Sequence, residues 1–309
     1  MIAFVFPGQG SQQVGMGSLL ADNFPECQET FEQADSALGI SLSSLCFEGP
    51  AERLMLTEYT QPALVAVAVA VARALTARGV KPALLAGHSL GEYSAHVEAG
   101  TLSFADVLRT VRNRGRYMQE AVPVGAGAMA AVMGLDEPKV VQACAEAAEG
   151  QVVSPANLNA PGQIVIAGDR EAVERAGERA RALGARRVVA LAVSAPFHCA
   201  LMRPVEERLA PELRSLVVSD PVVPVVANLD AELKCDAASS IAALVGQVTA
   251  PVRWEQVVRR LASEGVDTYV EVGPGSVLGG LIRRIHRGAR VLSVSDPEGV
   301  AGAESMLAG

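Results

Sequence analysis

The 309-residue sequence has little of what staples a chain, ligates a metal or binds nucleic acid. Its five cysteines, Cys27, Cys46, Cys144, Cys199 and Cys235, are an odd set with no Cys-x-x-Cys pair and no histidine at metal-ligand spacing. Reduced thiols and no metal are expected. Lys and Arg number 26 against 34 Asp and Glu, for a formal net charge of −8. Phosphate binding needs concentrated positive charge, so nucleic acid is excluded as the main partner. The longest apolar run, Pro62 to Leu75, is broken by Arg73 and falls short of the ~20 residues that cross a bilayer. It reads as a helix buried in a core, with no membrane partner. The N-terminus passes from Met1 through a short apolar run into Pro7 and Gly8, without the basic start and long apolar stretch of a secretory signal. A cytoplasmic protein is expected.

What is present is 50% apolar residues, enough for one large domain or two modest ones. Strand-like runs at Ile2 to Phe6, Ala83 to Ala86 and Thr268 to Val272 each precede a Gly-rich turn, as in an α/β protein with a mostly parallel sheet. Ligands bind such sheets at the carboxyl ends of the strands. From Pro123 to Pro196 the rhythm changes. Strand 128–133, helix 138–148, strands 152–157 and 163–167, helix 171–183 and strand 187–192 follow a βαββαβ order, which is that of a ferredoxin-like unit. The expected organisation is a large, hydrolase-like α/β domain of residues 1–123 and 197–309, with a small ferredoxin-like domain of 124–196 inserted in it. The tail from Gly299 has no clear place.

The segment Gly87-His88-Ser89-Leu90-Gly91 fits Gly-x-Ser-x-Gly, follows the apolar Ala83 to Ala86 and precedes a helix-compatible stretch to Ala99. Strand, sharp turn and helix are the setting in which such a serine is lifted above a sheet as a nucleophile. A glycine-flanked serine that merely caps a helix is the plainer reading. A nucleophilic serine needs a base, and the sequence has four histidines. His88 and His96 adjoin the serine and should point away from it. His286 lies among Arg283, Arg284 and Arg287, on what reads as a basic surface face. His198 remains, in the turn after the apolar strand, where the chain re-enters the large domain.

The stretch from Ser103 to Glu120 holds four arginines. At about 100° per residue, Phe104, Val107, Leu108, Val111, Gly115 and Met118 share one helical face, with Arg109, Arg112 and Arg116 opposite. Arg114 falls at the margin of the apolar face, where a charge needs a partner. Two readings are open: it snorkels or pairs with an internal carboxylate, or its partner arrives with a substrate whose carboxylate matches the guanidinium fork.

Several blocks in order, Phe6-Pro7-Gly8-Gln9-Gly10-Ser11-Gln12, Tyr59-Thr60-Gln61-Pro62-Ala63, Gly87 to Ala95, Arg114, Pro196-Phe197-His198 and Gln247, span nearly the full chain. On these the sequence resembles the malonyl-CoA:acyl carrier protein transacylases of fatty acid synthesis and the related acyltransferase domains of polyketide synthases. The resemblance implies that Ser89 is acylated, that His198 activates it, and that a carbonyl of Gln247, main chain or side chain, orients the imidazole. It implies an oxyanion hole at the amides of Gln9 and Leu90, and substrate contacts at Arg114, Gln61, Phe197, Met118 and His88. It further implies ping-pong transfer from malonyl-CoA to acyl carrier protein with no cofactor, coenzyme A entering as a substrate thioester. A monomer is expected. Cys199 replaces a common serine, and Ala195-Pro196-Phe197 matches the malonyl-type selectivity motif only in part. Arg186 and Arg187, and the cluster Arg283, Arg284 and Arg287, are candidates for holding an acidic carrier. The enzyme rival is a serine hydrolase or thioesterase of the α/β-hydrolase kind, which needs an acidic residue and then a late histidine, and only His286 is late. An interaction protein with a decayed site is the other rival.

Overall fold

Alternate residues of the first strand face two different cores, Phe4 and Phe6 one way, Ala3 and Val5 the other, which makes this strand the middle of a sheet covered on both sides. The computed structural model describes residues 1–123, 125–193 and 195–308. Val124, where the inserted segment is expected to begin, Ser194, in the turn expected before His198, and Gly309 in the tail lie outside the described residues.

Among the described residues ten strands form two sheets: β1 (Ile2–Phe6), β2 (Leu84–Gly87), β3 (Gly127–Met133), β4 (Val153–Ala160), β5 (Gln163–Asp169), β6 (Arg187–Ala190), β7 (Val225–Val226), β8 (Leu233–Lys234), β9 (Thr268–Val272) and β10 (Arg290–Val294). The larger sheet has the order β10-β9-β1-β2-β7-β8 and is parallel except for the edge pair of β7 with β8. The smaller has the order β4-β5-β3-β6 and is antiparallel throughout. Helices Glu137–Ala147 and Arg170–Ala182 complete the βαββαβ order, and their apolar faces form a separate core with this sheet. β4 also touches the large sheet's side of the molecule, through a parallel bridge between Asn157 and Val252.

The apolar run at Pro62 lies in a helix, Thr57–Ala77, that is longer than the run itself and by length and composition could cross a membrane. It is apolar nearly all round because it runs through the largest core, with 83% of its most apolar window buried. Against it packs the helix Phe104–Ala121, whose start is set by the Ser103 side chain accepting from the Asp106 amide at 3.1 Å. Its expected apolar face is buried, and Arg114 is buried with it at 2% exposure. The two helices meet closely at Gly115, where a Cβ would stand 2.5 Å from the carbonyl oxygen of Thr57. The tail forms a helix, Pro297–Ala308, with Val300 and Ala303 buried in the main core.

Gly115→Ala therefore sets a propensity gain of about 1 kcal/mol against an overpacking penalty of about 1–3 kcal/mol. Backbone of the facing helix cannot swing aside, so the clash wins. With the penalty at the upper end of that range, the urea midpoint should fall by the equivalent of up to about 2 kcal/mol, net; an unchanged or raised midpoint would show that the helices separate freely.

Candidate active site

Strand β2 ends at Gly87, and the helix Gly91–Glu98 starts only four residues on. A Cβ on Gly87 would come within 1.9 Å of the Gly91 carbonyl carbon, and one on Gly91 within 2.0 Å of the Phe6 carbonyl oxygen. Neither position accepts a side chain. Between them Ser89 is held at φ 52°, a left-handed conformation that costs a non-glycine residue about 1–3 kcal/mol. Asn228 braces the turn on both sides, since its Oδ1 accepts from the Ser89 amide at 2.7 Å and its Nδ2 donates to the Gly87 carbonyl at 2.6 Å.

The Ser89 Oγ lies 2.7 Å from His198 Nε2. On the far side of the ring, Nδ1 is 3.0 Å from the main-chain carbonyl of Gln247. A carbonyl can only accept, so Nδ1 carries the proton and Nε2 is left to accept from the serine hydroxyl. Of the two carbonyls of Gln247, the main-chain one faces the imidazole. Burial, with the Arg114 charge next and His88 behind it, pushes His198 down to about 3. The ring is thus neutral and able to take a proton throughout the neutral range.

Arg114 reaches the same spot from the helix Phe104–Ala121. Nη1 donates to Gln61 Oε1 at 2.9 Å, and Nη2 donates to Ser89 Oγ and to Gln247 Oε1, each at 3.3 Å. All of these acceptors are neutral oxygens, and Nε is buried without a partner among the described residues. Of the two readings open for Arg114, internal carboxylate pairing is not what these contacts describe. Burial lowers its pKa, and its guanidinium sits 5.5 Å from the centre of the Tyr93 ring.

A cavity of about 450 Å³ opens over Ser89 at the carboxyl ends of β1 and β2. Gln9, Gln61, His88, Leu90, Arg114, Met118, Phe197 and His198 line it with Ser89, while Met129, Asn157 and Leu191 close it from the smaller sheet. Of the residues expected at a site, only Gln247 stands behind the wall, where it touches both His198 and Arg114. His88 does border the cavity, but its Nε2 is engaged with Asn159 Oδ1 at 2.8 Å. His96 is wholly buried away from it, and His286 is half-buried beside the exposed Arg283, Arg284 and Arg287, with Nδ1 at 3.0 Å from the Tyr269 hydroxyl. Cys199 turns inward, its thiol 3.1 Å from the Pro196 carbonyl.

A family model described as acyl transferase domain matches residues 3–299. The malonyl CoA-acyl carrier protein transacylase of Salmonella typhimurium is 52% identical over 302 residues, covering 97% of this chain and 98% of the relative. The solved transacylase of that name from Coxiella burnetii superimposes with a TM-score of 0.97 at 45% identity, over 100% of this chain and 98% of the other. A malonyl-transacylase solved in complex with a type II polyketide synthase acyl-carrier protein gives 0.96 at 47% identity, over 99% of both chains. The chain belongs to the acyl transferase family.

Within this acyl transferase two residues that the sequence analysis passed over hold the site together. Glu92 is fully buried, and its Oε2 accepts from the Asn228 amide at 2.9 Å and from Gln247 Nε2 at 2.8 Å. Burial pushes its carboxyl up to about 7. In sequence it looks like an ordinary acidic residue in the first turn of a helix. Asn228 follows a two-residue strand, with no pattern to mark it.

The buried groups pull stability in opposite directions with pH. His198 titrates near 6.5 when unfolded and near 3 when folded, so its contribution is present above pH 6.5 and is lost as pH falls toward 3. Glu92, raised to about 7, acts with the opposite sign between its unfolded value and pH 7. Comparing wild type with His198→Asn isolates the first effect. The stability gap between them should shrink as pH is lowered from 6.5 to 4.5, by on the order of 1 kcal/mol per pH unit. Parallel curves from urea melts would place an ordinary, hydrated histidine at 198.

Proposed function

We propose that this acyl transferase moves a malonyl group from malonyl-CoA to the phosphopantetheine thiol of acyl carrier protein through an ester on Ser89, in the service of fatty acid synthesis. The observation that carries the reading is Arg114, a buried cation with only neutral acceptors, aimed at Ser89 inside the cavity. A malonyl carboxylate is the charge-matched partner for its fork.

In this reading Ser89 Oγ attacks the thioester carbonyl while His198 Nε2 takes the hydroxyl proton. The negative charge that develops on the carbonyl oxygen faces the amides of Gln9 and Leu90, two residues that border the cavity. Collapse of the tetrahedral species breaks the carbon–sulfur bond, and His198 returns the proton to the departing coenzyme A thiolate. The carrier thiol then gives its proton to His198 and attacks the ester, and Ser89 recovers its hydrogen as the malonyl-carrier thioester leaves. The Gln247 carbonyl keeps the imidazole in the tautomer that both half-reactions need. Gln61 and Gln247 hold the guanidinium, and Phe197 and Met118 bound the space left for the acyl chain. The sequence of steps draws on the thioester alone and uses no cofactor. Service to a polyketide carrier is the second reading, favoured by the likeness to the transacylase solved with such a carrier.

Mixing the protein with malonyl-CoA should add one malonyl group by intact mass, lost on adding acyl carrier protein and never formed by Ser89→Ala. Rapid loss to water in the absence of carrier would instead identify a hydrolase. Arg114→Ala should lower kcat/KM for malonyl-CoA by roughly two to four orders of magnitude, matching the ~3–5 kcal/mol of a broken buried charge pair, and leave acetyl-CoA use little changed. Arg114→Lys should fall between. An equal fall for both substrates would make Arg114 a purely structural residue.

The carrier reading gains from the placing of the two basic groups at adjoining turns. Arg284 bonds Gln163 and the Pro161 carbonyl at the β4–β5 turn, the Gly162 carbonyl there accepts from the Gly134 amide at 2.7 Å, and the Arg186 side chain lies over Gly134. Arg186→Glu with Arg284→Glu should raise the KM for carrier several-fold and spare that for malonyl-CoA; equal effects on both substrates, or none, would place docking elsewhere.

A further inference from the structure

Glu92 does not border the cavity, yet both halves of the site hang from one of its oxygens. The amide of Asn228 and the Nε2 of Gln247 converge on Oε2 at 2.9 and 2.8 Å. Asn228 clamps the Ser89 amide and the Gly87 carbonyl, and so fixes where the hydroxyl points. Gln247 donates to the Ser89 carbonyl through the same Nε2 at 3.0 Å, accepts a hydrogen bond from the imidazole Nδ1–H on its main-chain carbonyl, and steadies Arg114 through Oε1. These groups come from three separate parts of the chain: the helix Gly91–Glu98, the turn after β7, and the end of the helix Ala237–Gly246. No backbone ladder joins Asn228 to Gln247 among the described residues; the shared carboxyl oxygen does.

We infer that Glu92 is the positioning residue of this active site, setting the distance between Ser89 and His198 by holding Asn228 and Gln247 on a single acceptor. The inference rests on the acyl-transfer reading of the site and names what aligns it. What matters is an oxygen at that point, bonded to two donors, and not the negative charge. A misplacement of about 1 Å between reacting groups costs on the order of 10²-fold in rate.

Three variants separate position from charge. Glu92→Gln can keep an oxygen where Oε2 stands, its amide taking the place of Oε1, which has no partner among the described residues. Glu92→Asp keeps the charge and withdraws the oxygen by one methylene. Glu92→Ala removes both. Single-turnover acylation of Ser89 by malonyl-CoA, expressed per folded molecule, should fall 10- to 100-fold in Ala and about 10-fold in Asp. Gln should stay within about threefold of wild type, and malonyl-CoA affinity, measured in a Ser89→Ala background, should fall less than the acylation rate in Ala and Asp. A serine-directed fluorophosphonate, which needs no malonyl recognition, should label Ser89 in the same order of rates. A folded Ala variant that acylates like wild type overturns the inference, and so does Gln falling as far as Ala, which would make the charge decisive. Should Ala not fold, the order of Gln above Asp supports the inference and the reverse order overturns it. A wild-type protein that reacts with the fluorophosphonate but forms no malonyl ester would refute the acyl-transfer reading instead, and the fluorophosphonate order of the variants would still decide the role of Glu92.

Discussion

A serine held in a left-handed turn is the constraint on which the rest of the site depends. At φ 52° Ser89 stands where a residue with a Cβ is disfavoured, and it stays there because its neighbours leave no alternative. Gly87 and Gly91 approach backbone so closely that any side chain would pry the elbow from β1, and Asn228 bonds the turn before and at the serine. His198 is also at positive φ, 59°, so the serine hydroxyl and its imidazole partner are both presented by strained backbone. Strain at both ends of one 2.7 Å hydrogen bond means that neither residue can relax without breaking it.

The second constraint is electrostatic. Arg114, His198 and Glu92 are buried together, with little of their surface left to bulk solvent. Each responds in the direction that burial dictates, away from its charged form. The imidazole is thereby kept free of its second proton beside a guanidinium that would repel it. A carboxylate brought alongside Arg114 would offset that repulsion, so an anionic acyl group and a more basic His198 would arrive together.

Much of this could be read from the chain. The three strand-turn runs proved to be β1, β2 and β9 of one parallel sheet, and the βαββαβ order proved to be a four-stranded antiparallel sheet with its own core. The helical spacing that put Arg114 at the edge of an apolar face was enough to foresee its burial. Other features were read less well. Arg186 and Arg284 come from separate basic groups and lie at two adjoining turns, Arg186 over Gly134 and Arg284 at the β4–β5 turn, because β4 and β5 carry the smaller sheet against the end of the helix Val277–Ile285. The bond between His286 and Tyr269 had no signal in the chain. Glu92 carried no sign of burial, since an acid in the first turn of a helix is what solvent exposure would also select.

The sequence by itself determined the local pieces: where strands end in glycine turns, which serine sits in an elbow, which arginine leans toward a core, and, by the order of its blocks, the family. Those depend on spacing along a few residues, which the chain carries without folding. Only the tertiary structure decided that the main-chain carbonyl of Gln247, and not its side chain, accepts the hydrogen bond from the imidazole Nδ1–H, that the side chain serves Arg114 instead, and that Glu92 and Asn228 join them. Most of those bonds link residues more than a hundred positions apart, as between Glu92 and Gln247, 155 apart, and Glu92 and Asn228, 136 apart, and even His198 and Gln247 are 49 apart. Such partners share no period or motif. They find each other because a buried polar atom must be paired, and the packing of the sheets determines which atoms are left within reach.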